Sequence, residues 1–147
     1  MKNKGFFLLI LLCGCFSAVF SQEKITWNDL SKVTYEDKYF DEYDEYFKHP
    51  TFSSSVKALD GKEVMITGYF LDVDPEGTMY VLSKGPLSSC FFCGVGGPET
   101  AIELYFSSKP NFKMDDVVSI TGVLELNDKD IDHFNYILKG CRGKAVN

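Results

Sequence analysis

What this 147-residue chain has little of bounds it first. Five prolines and twelve glycines are too few for a collagen-like or disordered chain. Basic charge is scarce and scattered: 15 basic side chains stand against 21 acidic ones, and no basic cluster with interleaved aromatics occurs. A nucleic-acid binder gains affinity by replacing phosphate counterions with Lys and Arg, so a net charge of −6 argues against such a partner. Beyond the N-terminus no apolar run approaches the ~20 residues that span a bilayer. There is no H-E-x-x-H, no P-loop, no Ser-His-Asp order and no paired catalytic carboxylate, so no residue is assigned a catalytic role. The two histidines, His49 and His133, are widely separated and read as surface or capping residues.

What is present begins with an export pattern. Lys2 and Lys4 precede a continuous apolar stretch from Phe6 to Leu12, which runs on through Phe20 to a polar turn at Ser21 and Gln22. Val19 and Ser21 satisfy the small-residue rule for signal peptidase. Residues 1–21 are therefore expected to be removed and the product to be periplasmic or secreted. A rival reading is the segment Leu12-Cys13-Gly14-Cys15, which resembles a lipobox; the membrane enters only if Cys15 is lipidated. Removal of residues 1–21 takes two lysines and no acid, leaving 13 basic against 21 acidic side chains, a charge of −8 over 126 residues.

Residues 22–55 form an acidic, aromatic arm. Tyr35, Tyr39, Tyr43 and Phe47 fall four apart, which predicts one face of a short helix or ordered arm, ended by Pro50. Residues 56–147 change to period two. Strands are predicted at Glu63 to Val73, Met79 to Ser83, Ala101 to Phe106, Val117 to Asn127 and Phe134 to Cys141. Asp72-Val73-Asp74-Pro75-Glu76-Gly77 imitates a calcium loop but lacks its terminal Glu, so it reads as a turn. Val64-Met65-Ile66-Thr67-Gly68 is echoed by Val118-Ser119-Ile120-Thr121-Gly122, and a mid-strand glycine lets a long strand coil into both halves of a barrel. The expected fold is all-β: a five-stranded Greek-key barrel of the oligonucleotide/oligosaccharide-binding type, preceded by a short helical or irregular arm.

Several segments carry a resemblance. Trp27-Asn28-Asp29-Leu30, Ala58-Leu59-Asp60-Gly61-Lys62-Glu63-Val64, Gly68-Tyr69, Cys90-Phe91-Phe92-Cys93-Gly94 and Gly97-Pro98-Glu99 resemble a group of exported Bacteroidetes-like bacterial proteins with a barrel-like domain. The resemblance runs from Trp27 to Leu138. It implies an envelope location and a barrel fold, and no reaction.

Chemistry concentrates in the loop from Cys90 to Glu99, for which three readings stand. Cys90 and Cys93 have the spacing of a redox pair, although Gly94, Gly96, Gly97 and Pro98 cannot continue the helix that usually acidifies such a thiol. The same two thiolates fit one corner of a zinc site, with Cys141, His133, His49 or Glu99 as further ligands; a closed site needs about four. The third reading is structural, a disulfide within the loop or from it to Cys141. Phe91 and Phe92 would be costly to expose without a partner, so the loop is expected to be the functional centre. The sequence thus points to an exported binding or accessory module whose partner is a small ligand or envelope protein, with zinc binding and thiol-disulfide exchange as alternatives.

Overall fold

The computed structural model describes residues 22–74, 79–90 and 94–146. The expected signal segment, Cys93 and the turn at 75–78 lie outside the described residues. In chain order a short β1 (Glu23–Lys24) leads to helix α1 (Trp27–Leu30), a hairpin of β2 (Val33–Phe40) and β3 (Glu45–Phe52), and helix α2 (Ser54–Lys57). Then come β4 (Glu63–Asp72), β5 (Tyr80–Ser83), β6 (Ala101–Phe106), β7 (Val117–Leu126) and β8 (Tyr136–Ala145). The order β4-β5-β6-β8-β7, with β7 returning to β4, closes a five-stranded barrel in which only β6 and β8 run parallel. This is the expected all-β Greek-key barrel, and the five strands fall where alternation places them.

Alternation fills the interior. Val64, Ile66 and Phe70 of β4, Ile102 and Leu104 of β6, and Val118, Ile120 and Leu124 of β7 are buried in one cluster. The two V-x-I-T-G segments pair with each other: Val64 lies opposite Gly122, Ile66 opposite Ile120 and Gly68 opposite Val118. The glycines have a sharper reason than coiling alone. A Cβ on Gly68 would stand 2.6 Å from the Ser83 carbonyl oxygen and 2.9 Å from the Trp27 ring. At Gly122 the β7–β8 register shifts, the local irregularity a glycine permits.

The end of the barrel where β4 begins is plugged by the N-terminal segment. The backbone N–H of Thr26 donates to Asp29 Oδ2 at 2.9 Å, closing the first turn of α1. The Trp27 indole donates to the Thr67 carbonyl at 2.8 Å, and the Tyr136 hydroxyl donates to the Leu30 carbonyl at 2.7 Å. Leu30, Val56 and Leu59 are buried beneath. The turn after α2 is sewn to β7: Gly61 N–H donates to Leu124 O, Leu124 N–H to Lys62 O, and Leu126 N–H to Asp60 Oδ1. Gly61, at φ +73°, occupies the left-handed region that this turn requires. Phe70, Tyr80, Phe106 and Phe112 pack edge and face together where β4 ends.

Of the short helix or ordered arm expected through Tyr35, Tyr39, Tyr43 and Phe47, the helix is not formed. The chain makes an antiparallel hairpin in which Val33 faces Phe52, Tyr35 faces Pro50 and Tyr39 faces Tyr46. A spacing of four is even, so it satisfies a strand's period of two as well as a helical turn. Pro50 is tolerated because each strand of a two-stranded sheet is an edge strand.

Candidate functional site

The site grows from the outer face of the barrel. In β6, Ala101, Glu103 and Tyr105 alternate with the inward Ile102 and Leu104, and Glu103 lies opposite Val81. An outward residue is ordinarily solvated. Here a second apolar cluster of Leu71, Val81, Cys90 and Ala101, with Val73 and Phe134 against it, covers that face. Glu103 is left 2% exposed. A carboxylate so placed needs donors on its oxygens, and three are present. The backbone N–H of Phe134 donates to Oε2 at 3.1 Å, the Tyr105 hydroxyl donates to Oε1 at 2.7 Å, and His133 Nδ1 lies 3.0 Å from Oε1. The bond to Glu103 raises His133 above the usual imidazole range. The same carboxylate, with burial second, pushes Tyr105 up to about 12.

These bonds clamp the β7–β8 loop to β6, and Asn127 shapes the loop itself. Its Oδ1 accepts from the backbone N–H groups of Lys129 and Asp130 at 3.1 and 3.0 Å, while its Nδ2 donates to the Asp130 carbonyl at 2.6 Å. The loop is therefore a fixed wall rather than a slack connection.

Across from this wall stands the hairpin. Between them, with Gly96, Gly97 and Pro98 contributing a third side, lies a cleft of about 480 Å³. Half-buried Phe40 and Phe47 from the hairpin and Ile131 and Phe134 from the loop supply its apolar lining. Phe40 and Phe47 meet edge to face at 5.8 Å, and the Lys38 ammonium sits 5.3 Å from the Phe40 ring centre. Desolvation first, then the charge of Asp132 across the cleft, raises the Tyr43 phenol. His49 also lines the cleft, and its Nδ1 is fully shielded without a hydrogen-bond partner. The carboxylates of Asp128, Asp130 and Asp132 rim the loop side.

Comparison with known proteins bears on the fold alone. No family model matches the sequence, and no curated protein matches it. Among solved structures the chain is similar to a DUF3299 family protein from Pseudomonas aeruginosa PAO1, with 13% identity and a TM-score of 0.54 over 86% of this chain and 97% of that one. At that identity the likeness is one of fold. The barrel from Glu63 to Ala145 is little more than half of the chain, so the likeness extends into the N-terminal segment.

The residues singled out as ligands are dispersed. Cys90 is buried beneath the loop on the outer face, and Cys141 is buried in the barrel interior, where its thiol donates to the Leu138 carbonyl at 3.1 Å. Both are free cysteines, so the expected staple between loop and last strand is not formed. Burial pushes the Cys141 thiol up to about 12, the opposite of what a thiolate ligand or nucleophile requires. Glu99 folds its carboxylate over the bare Cα of Gly97, beside Tyr35 and Tyr136. His133 is a surface residue, as expected, and its ring is also bonded to Glu103. Among the described residues no three His, Cys, Asp or Glu side chains are grouped to hold a metal. Cys93 lies outside them.

Glu103, Tyr105, Phe40 and Ile131 were not singled out by the sequence. The available signal was the run Ile102-Glu103-Leu104-Tyr105-Phe106, in which an acid interrupts an otherwise apolar strand.

Proposed function

We propose that this protein is an exported, non-catalytic binding or accessory module, and that the cleft between the hairpin and the β7–β8 loop is its ligand site. The observation that carries the reading is the half-buried lining of Phe40, Phe47, Ile131 and Phe134 around a volume of about 480 Å³. Apolar surface held open to water gains free energy when a ligand displaces that water, at roughly 25 cal/mol per Å². The β7–β8 loop is also one of the two loops that meet ligands in barrels of this topology. Part of the glycine-rich stretch after Cys93 borders the same cleft, which ties the chemically dense loop to the site. Export to the periplasm or medium rests on residues 1–21, with anchoring through Cys15 as its variant. Kinship with the exported Bacteroidetes-like group rests on the L-D-G-K, C-x-x-C-G and G-P-E segments. The scattered positions of Cys141, His133 and Glu99 lend no support to the zinc alternative.

Two experiments test this. Mass spectrometry of the protein from its native host is expected to find Gln22 at the N-terminus; Met1 would overturn export. Titration with a panel of apolar amines, amides, sugars and short peptides, followed by NMR, is expected to shift resonances of Phe40, Phe47, Ile131 and Phe134 for at least one class. The shifts should be lost in Phe47→Ser. A panel that perturbs only residues elsewhere, or none, removes the cleft as the site.

A further inference from the structure

Charge is distributed unevenly over this molecule. Residues 36–49 of the hairpin and 128–132 of the facing loop carry nine carboxylates and three lysines, a local charge of −6. The rest of the chain balances at twelve acids and twelve bases, or twelve and ten once Lys2 and Lys4 are removed, so the excess negative charge is concentrated in these two segments, and Asp128, Asp130 and Asp132 of it line the cleft. Pairing is equally uneven. On the barrel and plug, Asp29, Glu23, Glu125 and Glu63 each meet a cation, from Lys32, Lys62, Lys139 and Arg142. Around the cleft the described residues make one ion pair between an acid and a lysine, Asp37 with Lys48 at 2.8 Å. Like charges gathered around an apolar surface repel one another and weaken the folded state. They become favourable when a ligand brings the opposite sign.

Resting on the cleft as binding site, we propose that its partner is a basic polypeptide segment, with lysine or arginine side chains alternating with apolar ones. The two halves of the surface ask for different groups. Phe40, Phe47 and Ile131 take an apolar side chain, while exposed Asp128 on the loop wall and exposed Glu45, paired with Phe40 across the hairpin, take cations. The molecule already contains a small example, because the Lys38 ammonium sits over the face of Phe40. An incoming guanidinium would find the same attraction at Tyr43, which is 42% exposed and whose ring meets that of Phe47 at 5.7 Å. An anionic polymer would meet repulsion on both walls.

The test uses three capped octapeptides in which leucine alternates with arginine, with serine or with glutamate, followed by calorimetry and NMR. The arginine peptide is expected to bind and to shift Phe40, Phe47 and Ile131. Its affinity should fall about tenfold between roughly 0.05 M and 0.3 M salt. A further loss of about tenfold is expected for the double variant Glu45→Gln with Asp128→Asn, because each exposed pair contributes only a few-fold. Glu125→Gln on the barrel should leave binding unchanged, and melting curves check that each variant folds. Equal binding of the serine or glutamate peptide overturns the inference while leaving the cleft a binding site. So does arginine-peptide binding that ignores salt or the double variant, or equal binding of a simple polyamine. Failure of the arginine peptide together with the wider ligand panel removes both readings.

Discussion

The barrel and the hairpin are built from opposite materials. In the barrel, each strand buries one row of aliphatic side chains and each long strand has two neighbours, so backbone bonds and packing reinforce each other. The hairpin has two strands and no sheet beyond them, and Tyr39, Tyr43 and Tyr46 are exposed near its tip. An isolated two-stranded ribbon is marginal in water. What holds this one is its base, where Val33 and Phe52 join the core and Phe52 packs on Tyr136 at 5.6 Å. Stability and recognition are thereby separated in space. The acidic surface lies outside the closed sheet, on the hairpin and on the β7–β8 loop.

The contrast can be broken most severely at Gly68. Gly68→Val places atoms where the Ser83 carbonyl and the Trp27 ring already stand, and a loss of about 3 kcal/mol is expected, read by urea denaturation. Glu103→Ala removes the carboxylate to which the Phe134 N–H, the Tyr105 hydroxyl and His133 are bonded, and with it the clamp on the β7–β8 loop. A cost of about 2 kcal/mol is expected, with faster amide exchange in residues 127–135 and little change in the barrel strands. Tyr136→Phe deletes the hydroxyl bonded to Leu30 O and should cost about 1 kcal/mol, loosening the plug without altering the sheet. Tyr46→Ser, at the exposed end of the hairpin, should change stability by under about 0.5 kcal/mol. A large loss there would show that the hairpin tip supports the barrel after all.

A pH titration sharpens the same contrast. His133 is raised by its bond to Glu103, from an ordinary value near 6.5. Below that ordinary value the imidazole is protonated whether the chain is folded or not, and its bond to Glu103 contributes in full. As pH rises through the raised folded value the proton leaves and the contribution disappears. The difference in melting temperature between the native protein and His133→Gln should therefore shrink from mildly acidic to mildly alkaline pH. A difference that grows instead would reverse the assignment.

The barrel was legible because its evidence is local and repeated: five alternating segments, two glycine-bearing echoes and polar turns between them. The hairpin was misread for a definite reason, since rings four apart fit both periods and Pro50 looks like a stop until the strand is known to be an edge. The clamp was not legible at all. Glu103 and His133 are thirty residues apart, and burial of an outward-facing acid depends on a loop covering the sheet from outside, which alternation within β6 does not encode. The loop after Cys90 was marked as the place of chemistry, and its residues 91–93 lie outside the described residues. Its described glycines border a cleft whose other walls include Phe47, His49 and His133, which the sequence had named for other reasons, and Phe40 and Ile131, which it had not.

The contact between Trp27 and the barrel has a practical consequence. Trp27 is the only tryptophan in the chain, and its indole is bonded to Thr67 O above Gly68. Of the eight tyrosines, four (Tyr35, Tyr39, Tyr43 and Tyr46) lie in the hairpin or its turn. The two regions thus carry separate chromophores. Indole emission reports whether the plug is seated, and much of the phenol absorption reports the surroundings of the hairpin. A single unlabelled sample can follow loosening of one region while the other stays intact.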